Sequence, residues 1–236
     1  MIGISYDSIE DLKSFSDKHQ IQYPLLSDVG SEVIKKYGIL KDNDESNGIP
    51  NPGIYIIDKN LKVISKQFEK HYTARPTAEN VLATHLKEEI QSNIHQFKTS
   101  YMTGTIALSD TIAYPRQVLG IIIKFTLNEN WHIYGKPIPE GYIPLTIDLE
   151  SNQNFSLDSF QFPNTTEITL ESINETFNIL PGEFTLYSFL RMERGSQFGS
   201  NILNITMKFQ ACDDKVCMRP EELKFQFPVT IKKSKL

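Results

Sequence analysis

The sequence predicts two domains, an α/β domain followed by an antiparallel β-sandwich, and three observations carry that prediction. The chain has 236 residues, room for one or two domains at roughly 150 residues each. Over the first hundred residues, short apolar runs alternate with segments of helical period. From about Thr103 onward the dominant period is two, with frequent proline and glycine, as in strands that bury one face.

Each element has its own signal. Residues 2–6 read as a strand, and Asp7 with Glu10 three positions on forms a capping-box variant. Ile9, Leu12 and Phe15 then make one helical stripe. Residues 24–26 form a second extended piece, and 31–37 a short helix stopped by Gly38 in the C-cap role. Residues 41–51 are polar and read as a loop. Residues 54–57 form a strand that turns at Asp58, Lys59 and Asn60 into a partner over 63–68. Thr77 caps a long helix with the face Leu82, Leu86, Ile90, Ile94 and Phe97. The expected boundary follows it, giving domains 1–98 and 99–236. In the second domain Ile205, Met207 and Phe209 alternate with polar residues, as do Leu223, Phe225, Phe227, Val229 and Ile231. Residues 183–192 form another long strand, entered through Pro181 and Gly182. About 130 residues suffice for a self-sufficient core.

Composition narrows the function classes. Hydrophobic residues make up 39% and charged residues 22%, which describes a folded chain and not a disordered one. The longest apolar stretch, residues 118–123 broken by Gly120, is far short of the ~20 residues of a membrane span. The net charge of −5, with no basic block except Lys232 and Lys233, argues against a nucleic-acid partner. Residues 1–25 lack the charged start and apolar core of a signal peptide.

The two cysteines, Cys212 and Cys217, sit between two alternating strands. A disulfide across that connection is feasible if the Cα atoms come within about 7 Å. Closing so short a loop stabilises by only roughly 2 kcal/mol, so the pair is either a hairpin staple or an exposed, exchangeable dithiol. A zinc site needs four ligands, which two cysteines with no histidine after His132 do not supply. No metal and no cofactor is expected. Asp213 and Asp214 oppose thiolate formation and Lys215 favours it, so the thiols should have ordinary acidity. His132 is either a proton shuttle for the pair or a surface strand histidine.

The strings GISYDSIEDLKSFSDKHQIQYPLLSD, VIKKYGI and NPGIYIIDKNLKVISK, from Ile2 to about Leu82, resemble the peroxiredoxin-like redoxin family of alkyl hydroperoxide reductase/thiol-specific antioxidant type. The resemblance implies an incomplete thioredoxin-like fold with Pro52 at the cis-proline position. It begins after the point where the family carries its peroxidatic cysteine, at a helix N-terminus that lowers thiol pKa. Residues 1–211 contain no cysteine, so peroxidase chemistry is not expected from this chain alone, and His19, His71, His85 and His95 offer no substitute. The family's first strand, between those matching residues 2–6 and 54–57, is missing. The expectation is therefore a direct pairing of those two strands or a loosely held segment 1–6, with an upstream portion of the gene lost.

The segment FQACDDKVCMRPEELKFQFPV, and residues from about Gly104 to Ile231, resemble the N-terminal periplasmic domain of the thiol:disulfide interchange protein DsbD, an immunoglobulin-like sandwich. The matching residues are Cys212, Cys217 and Pro220, with Tyr134 and His132 on the flanking aromatic strand 131–136. The resemblance implies a thiol–disulfide oxidoreductase module relaying electrons by exchange, Cys217 bonding the partner and Cys212 resolving. It also implies a shielding cap loop, assigned to residues 177–184, and an extracytoplasmic location. The implied partners are thioredoxin-like donors and acceptors, with a membrane electron carrier among the candidate donors. The alternatives are a non-catalytic partner-binding sandwich with a structural disulfide, and a peroxiredoxin-type antioxidant protein whose own peroxidatic cysteine is absent here.

Overall fold

The computed structural model describes residues 1–41, 48–68, 75–86, 90, 93–150, 152–170, 174–213 and 215–233. His71, Asp214 and most of the loop expected over 41–51 lie outside them. The chain divides into two compact units, Met1–Tyr72 and Thr73–Leu236. The division falls earlier than the 98/99 boundary expected from sequence, because the helix and strand that follow Tyr72 pack on the sandwich.

The first unit contains β1 (Gly3–Ser5), α1 (Ile9–His19), β2 (Leu25–Ser27), α2 (Glu32–Lys36), β3 (Gly53–Ile57) and β4 (Val63–Phe68). Helix α1 starts one residue later than the capping box suggested. Ser8 is the N-cap, accepting a hydrogen bond from the Asp11 amide at 3.1 Å while its hydroxyl donates to the Asp11 carboxylate at 2.6 Å. Of its predicted stripe only Leu12 is buried; Ile9 and Phe15 are exposed, since so small a sheet covers only part of the helix face. Helix α2 ends at Gly38, which has a left-handed φ of 65°. The β3–β4 hairpin turns where predicted, with the Asp58 carboxylate accepting from the Asn60 and Lys62 amides.

The expected pairing of residues 2–6 with 54–57 is not made. Strand β1 runs parallel to β2, Gly3 opposite Leu25, and β3–β4 forms a separate two-stranded sheet. Main-chain hydrogen bonds hold the chain from Gly3 onward, leaving Met1 and Ile2 exposed. The bond before Pro52 is trans; among the described residues the cis peptide is Lys136–Pro137. The ordinary trans preference of about 0.5–1 kcal/mol prevails at Pro52.

The second unit begins with β5 (Arg75–Pro76), α3 (Ala78–His85), β6 (Ile94–Lys98), β7 (Met102–Leu108), β8 (Ile112–Ala113), β9 (Gln117–Leu127) and β10 (His132–Tyr134). It continues with β11 (Thr146–Leu149), β12 (Phe155–Leu157), β13 (Thr166–Leu170), β14 (Glu175–Pro181), β15 (Glu183–Met192), β16 (Gly199–Phe209), β17 (Ala211–Cys212) and β18 (Glu221–Ile231). One sheet has the order β11-β16-β18-β8 and the other β12-β15-β9-β7-β6, with β5 beside β9. Inward side chains from both, among them Ile106, Leu119, Leu186, Leu203 and Phe227, form one core. A third sheet, β13-β14-β10-β17, carries the cysteines.

The long helix predicted from Thr77 to Phe97 is shorter. Thr77 does cap it, but it stops at His85, and Ile94 and Phe97 belong to β6, paired with β7. An apolar residue every fourth position satisfied the helical period, yet Phe97 buries its ring over Gly104 of the neighbouring strand instead. Leu82 and Leu86 are exposed; the buried face of α3 is Asn80, Ala83 and Thr84. The Asn80 side-chain Nδ2 donates to the Val118 carbonyl at 3.0 Å. Strand β9 is thus covered on both sides, by the core and by α3, which is why its apolar run is nearly continuous.

Gly104 is required by close packing. A Cβ there would lie 2.3 Å from both the Phe97 ring and the Lys124 carbonyl. Gly104→Ala should therefore lower stability by about 1–3 kcal/mol, seen as a lower urea midpoint with unchanged slope; an unchanged midpoint would refute the close-packing argument.

Candidate redox site

The site is built around β10, a strand of three fully or nearly buried residues. It pairs antiparallel with β14 on one side and β17 on the other, so that His132 faces Cys212 and Pro181 in register. Cys212 ends β17. Asp213 then turns the chain, its carboxylate accepting from the Lys215 and Val216 amides at 2.8 and 2.7 Å. These bonds hold the Asp213 carboxyl below its ordinary pKa. The turn is therefore capped above the usual carboxylate range, and the cap is lost as pH falls through the lowered value. Beyond it, the Met218 amide donates to the Ala211 carbonyl at 2.9 Å and Gln210 Nε2 to the Met218 carbonyl at 3.1 Å.

Cys212 and Cys217 are joined by a disulfide, with Cα atoms 4.1 Å apart, inside the separation the sequence reading required. The two sulfurs occupy different environments. Cys212 is 1% exposed and belongs to a small core with Tyr134, Phe177 and Ile179. Cys217 is exposed, beside the half-exposed Val216.

Tyr134 spans both sulfurs. Its hydroxyl lies 3.1 Å from Cys212 Sγ and 3.3 Å from Cys217 Sγ. Disulfide sulfurs carry no hydrogen, so the phenol is the donor. Burial, aided by Tyr142 and Glu175, pushes the Tyr134 pKa up to about 12; the phenol stays protonated throughout the range in which thiols exchange.

The Phe177 ring stacks on Tyr134 at 5.2 Å, and Tyr142 stands edge-on to both, 5.4 Å from Tyr134 and 4.8 Å from Phe177. Tyr142 donates to the Glu175 carboxylate, which raises the Tyr142 pKa, while Glu175 Oε2 is buried with no partner among the described residues.

The structure thus brings together Cys212, Cys217, Tyr134 and His132. His132 is not the surface residue allowed for in the sequence reading: it is 6% exposed and opposite Cys212. Pro220 is exposed at the exit of the cysteine loop, before β18, and Pro52 belongs to the first unit. The segment proposed as a cap loop is strand β14 through Pro181, followed by Gly182 and the start of β15. Phe177 nevertheless covers the buried side of the pair. Tyr142 and Glu175 belong to no motif of the sequence: Tyr142 sits in an irregular stretch and Glu175 opens β14. Among the described residues no cluster of three or more His, Cys, Asp or Glu side chains could hold a metal, and no helix is long and apolar enough to cross a membrane.

The Cys212–Cys217 disulfide, with one sulfur exposed, and the family matches that follow support a thiol–disulfide exchange module. The chain belongs to the family described as thiol:disulfide interchange protein DsbD, N-terminal, whose model matches residues 105–228. Residues 1–66 match the AhpC/TSA family. The first unit is similar to chloroplastic peroxiredoxin Q of Sedum lineare, 38% identical over 76 residues, and of Arabidopsis thaliana, 37% identical over 76 residues. Those matches cover 30% of this chain and 40% and 34% of the relatives, so the chain spans well under half of each. Among solved structures, the N-terminal periplasmic domain of ScsB from Proteus mirabilis aligns at 10% identity and TM-score 0.43, covering 59% of this chain and 52% of that one. The reduced N-terminal domain of Neisseria meningitidis DsbD aligns at 12% identity and TM-score 0.33, covering 47% and 78%.

Two measurements probe Tyr134. In the reduced protein, Tyr134→Phe should raise the pKa of the more acidic thiol by about one to two units, the worth of a hydrogen bond to a charged group; the pH profile of iodoacetamide alkylation reads it, and an unshifted profile would remove Tyr134 from the chemistry. Because the folded phenol titrates above the unfolded one, its contribution to stability is complete below pH about 10 and declines toward pH about 12. Wild type should therefore lose more stability than Tyr134→Phe between pH 9 and 11 in thermal melts.

Proposed function

We propose that the Thr73–Leu236 unit relays electrons by disulfide exchange through Cys212 and Cys217, with Cys217 as the residue that bonds the partner. The observation that carries this reading is the asymmetry of the pair: one sulfur lies open to an incoming thiolate and the other is sealed beneath Tyr134 and Phe177. In one direction, a partner thiolate attacks Cys217 Sγ, the Cys212–Cys217 bond breaks, and Cys212 leaves as a thiolate that receives the Tyr134 hydrogen bond. A second partner thiol then attacks the mixed disulfide, freeing Cys217; the pair gains two electrons and the partner becomes a disulfide. In the other direction, Cys217 thiolate attacks a partner disulfide, and Cys212 thiolate resolves the adduct. His132, facing Cys212, is positioned to carry the proton that the resolving thiol gives up or takes back.

A structural staple is disfavoured by the loop itself. The Asp213 turn and the Met218–Ala211 hydrogen bond already close it without help from the sulfurs. The partners of this reading are thioredoxin-like proteins, in an extracytoplasmic compartment as the resemblance to DsbD and ScsB domains suggests. A redoxin-type acceptor is a further candidate, because a redoxin segment without a cysteine of its own precedes the exchange unit in the same chain.

Trapping tests the assignment. With thioredoxin lacking its resolving cysteine, its remaining thiol activated as a mixed disulfide with thionitrobenzoate, as the probe, Cys212→Ser should accumulate a mixed disulfide through Cys217 with release of thionitrobenzoate, whereas Cys217→Ala should form none and still fold. The wild-type pair should equilibrate with thiol buffers at roughly −180 to −270 mV. A potential well below about −300 mV, with no trapped adduct, would instead mark a structural bridge in a partner-binding sandwich.

A further inference from the structure

The two principal sheets leave one side of the sandwich open. There β11, the edge of one sheet, faces β12, the edge of the other, across a cleft of about 850 Å³. Strand β11 pairs on one side only, with β16. The alternation of its backbone groups follows from two hydrogen bonds. The Glu150 amide donates to the Asn204 carbonyl, so the even-numbered residues face β16. The Leu145 amide donates to the Tyr134 carbonyl, so the odd-numbered residues face away. The main-chain groups of Ile147 and Leu149, both in the cleft lining, therefore point away from β16 and have no ladder partner among the described residues. Across from them stand the apolar side chains of Phe155, Leu157, Phe160 and Phe162, the last exposed.

We propose that this cleft docks an extended, lysine- or arginine-bearing segment of a partner polypeptide, which adds to β11 as a strand. Only an extended backbone supplies donors and acceptors at the spacing of Ile147 and Leu149. The apolar wall opposite takes alternate side chains of that segment. The charge of the segment follows from Asp148 and Glu150, exposed on β11 and without an ion pair among the described residues. Asp158, also in the lining, is already neutralised by Arg191 at 2.6 Å. The cleft lining includes Gly135 and Lys136, which directly follow Tyr134 in the chain. The inference concerns binding alone and stands whether or not the cysteine pair exchanges.

The test uses the full chain and a labelled, end-blocked hexapeptide of alternating lysine and valine, titrated by fluorescence anisotropy. Binding should weaken with salt, protect the Ile147 and Leu149 amides from hydrogen exchange, and exceed that of the glutamate–valine counterpart. Ile147→Pro removes an outward donor at an edge position that tolerates proline and should weaken binding about tenfold. A second variant, Asp148→Lys with Glu150→Lys, keeps the test valid should the proline disturb folding: it should reverse the preference toward the glutamate peptide. The proposal is overturned if neither peptide binds, if the two bind equally, if the reversed variant keeps the original preference, or if a folded Ile147→Pro binds undiminished. It is also overturned if light scattering shows that the edge instead pairs two copies of the chain.

Discussion

Everything at the redox site depends on the pairing of one three-residue strand. Strand β10 is held between β14 and β17, and that pairing alone puts the Tyr134 hydroxyl against both sulfurs while Phe177 closes over it. Because side chains alternate along a strand, His132 and Tyr134 share a face, and Cys212 lies directly opposite His132 on that face. A shift of one residue in the register of β10 would turn both away and leave Cys212 against the backbone of Ile133. The buried sulfur, the protonated phenol and the aromatic cover are therefore consequences of a register.

That register is secured from the sandwich side. Tyr101, fully buried, stacks on Trp131 at 4.9 Å immediately before β10 and donates its hydroxyl to Glu221 at the start of β18. Desolvation and that carboxylate both raise the Tyr101 pKa, so the phenol remains a donor at any pH at which the protein works. One side chain thus ties the entry of β10 to the segment that leaves the cysteine loop. The turn of that loop is held by Asp213 in addition to the disulfide.

The sandwich was legible because its strands bury one face and expose the other: Leu223 to Ile231 and Ile205 to Phe209 alternate in sequence as they do in burial. The cysteine pair was legible by elimination, since no other residue of its kind exists in the chain. What failed was long-range. Ile94 and Phe97 carry a helical period, yet the partner for Phe97 is a glycine on the next strand, and a local pattern does not report that partner. The polar face by which α3 docks runs against the hydrophobic stripe rule because Asn80 answers the Val118 carbonyl of β9, while the Thr84 hydroxyl donates back to Asn80 within the helix. Tyr142 and Glu175 come to the site from an irregular segment and a hairpin, about thirty residues apart in a chain whose local pattern gives neither a reason to meet.

On the exchange reading proposed above, the difference in exposure between the two sulfurs gives each a different part. Attack on a disulfide proceeds roughly in line with the breaking bond and needs access to the sulfur attacked, which Cys217 offers and Cys212 does not. The leaving thiolate, by contrast, gains from a donor already in place, and the low-dielectric surroundings of Cys212 make that single hydrogen bond count for more than it would at the surface. Burial alone would raise the cost of a thiolate at Cys212; the Tyr134 hydroxyl offsets part of that cost. The arrangement shields the Cys212 sulfur beneath Tyr134, Tyr142 and Phe177 while leaving the Cys217 sulfur open to a thiolate presented from solvent.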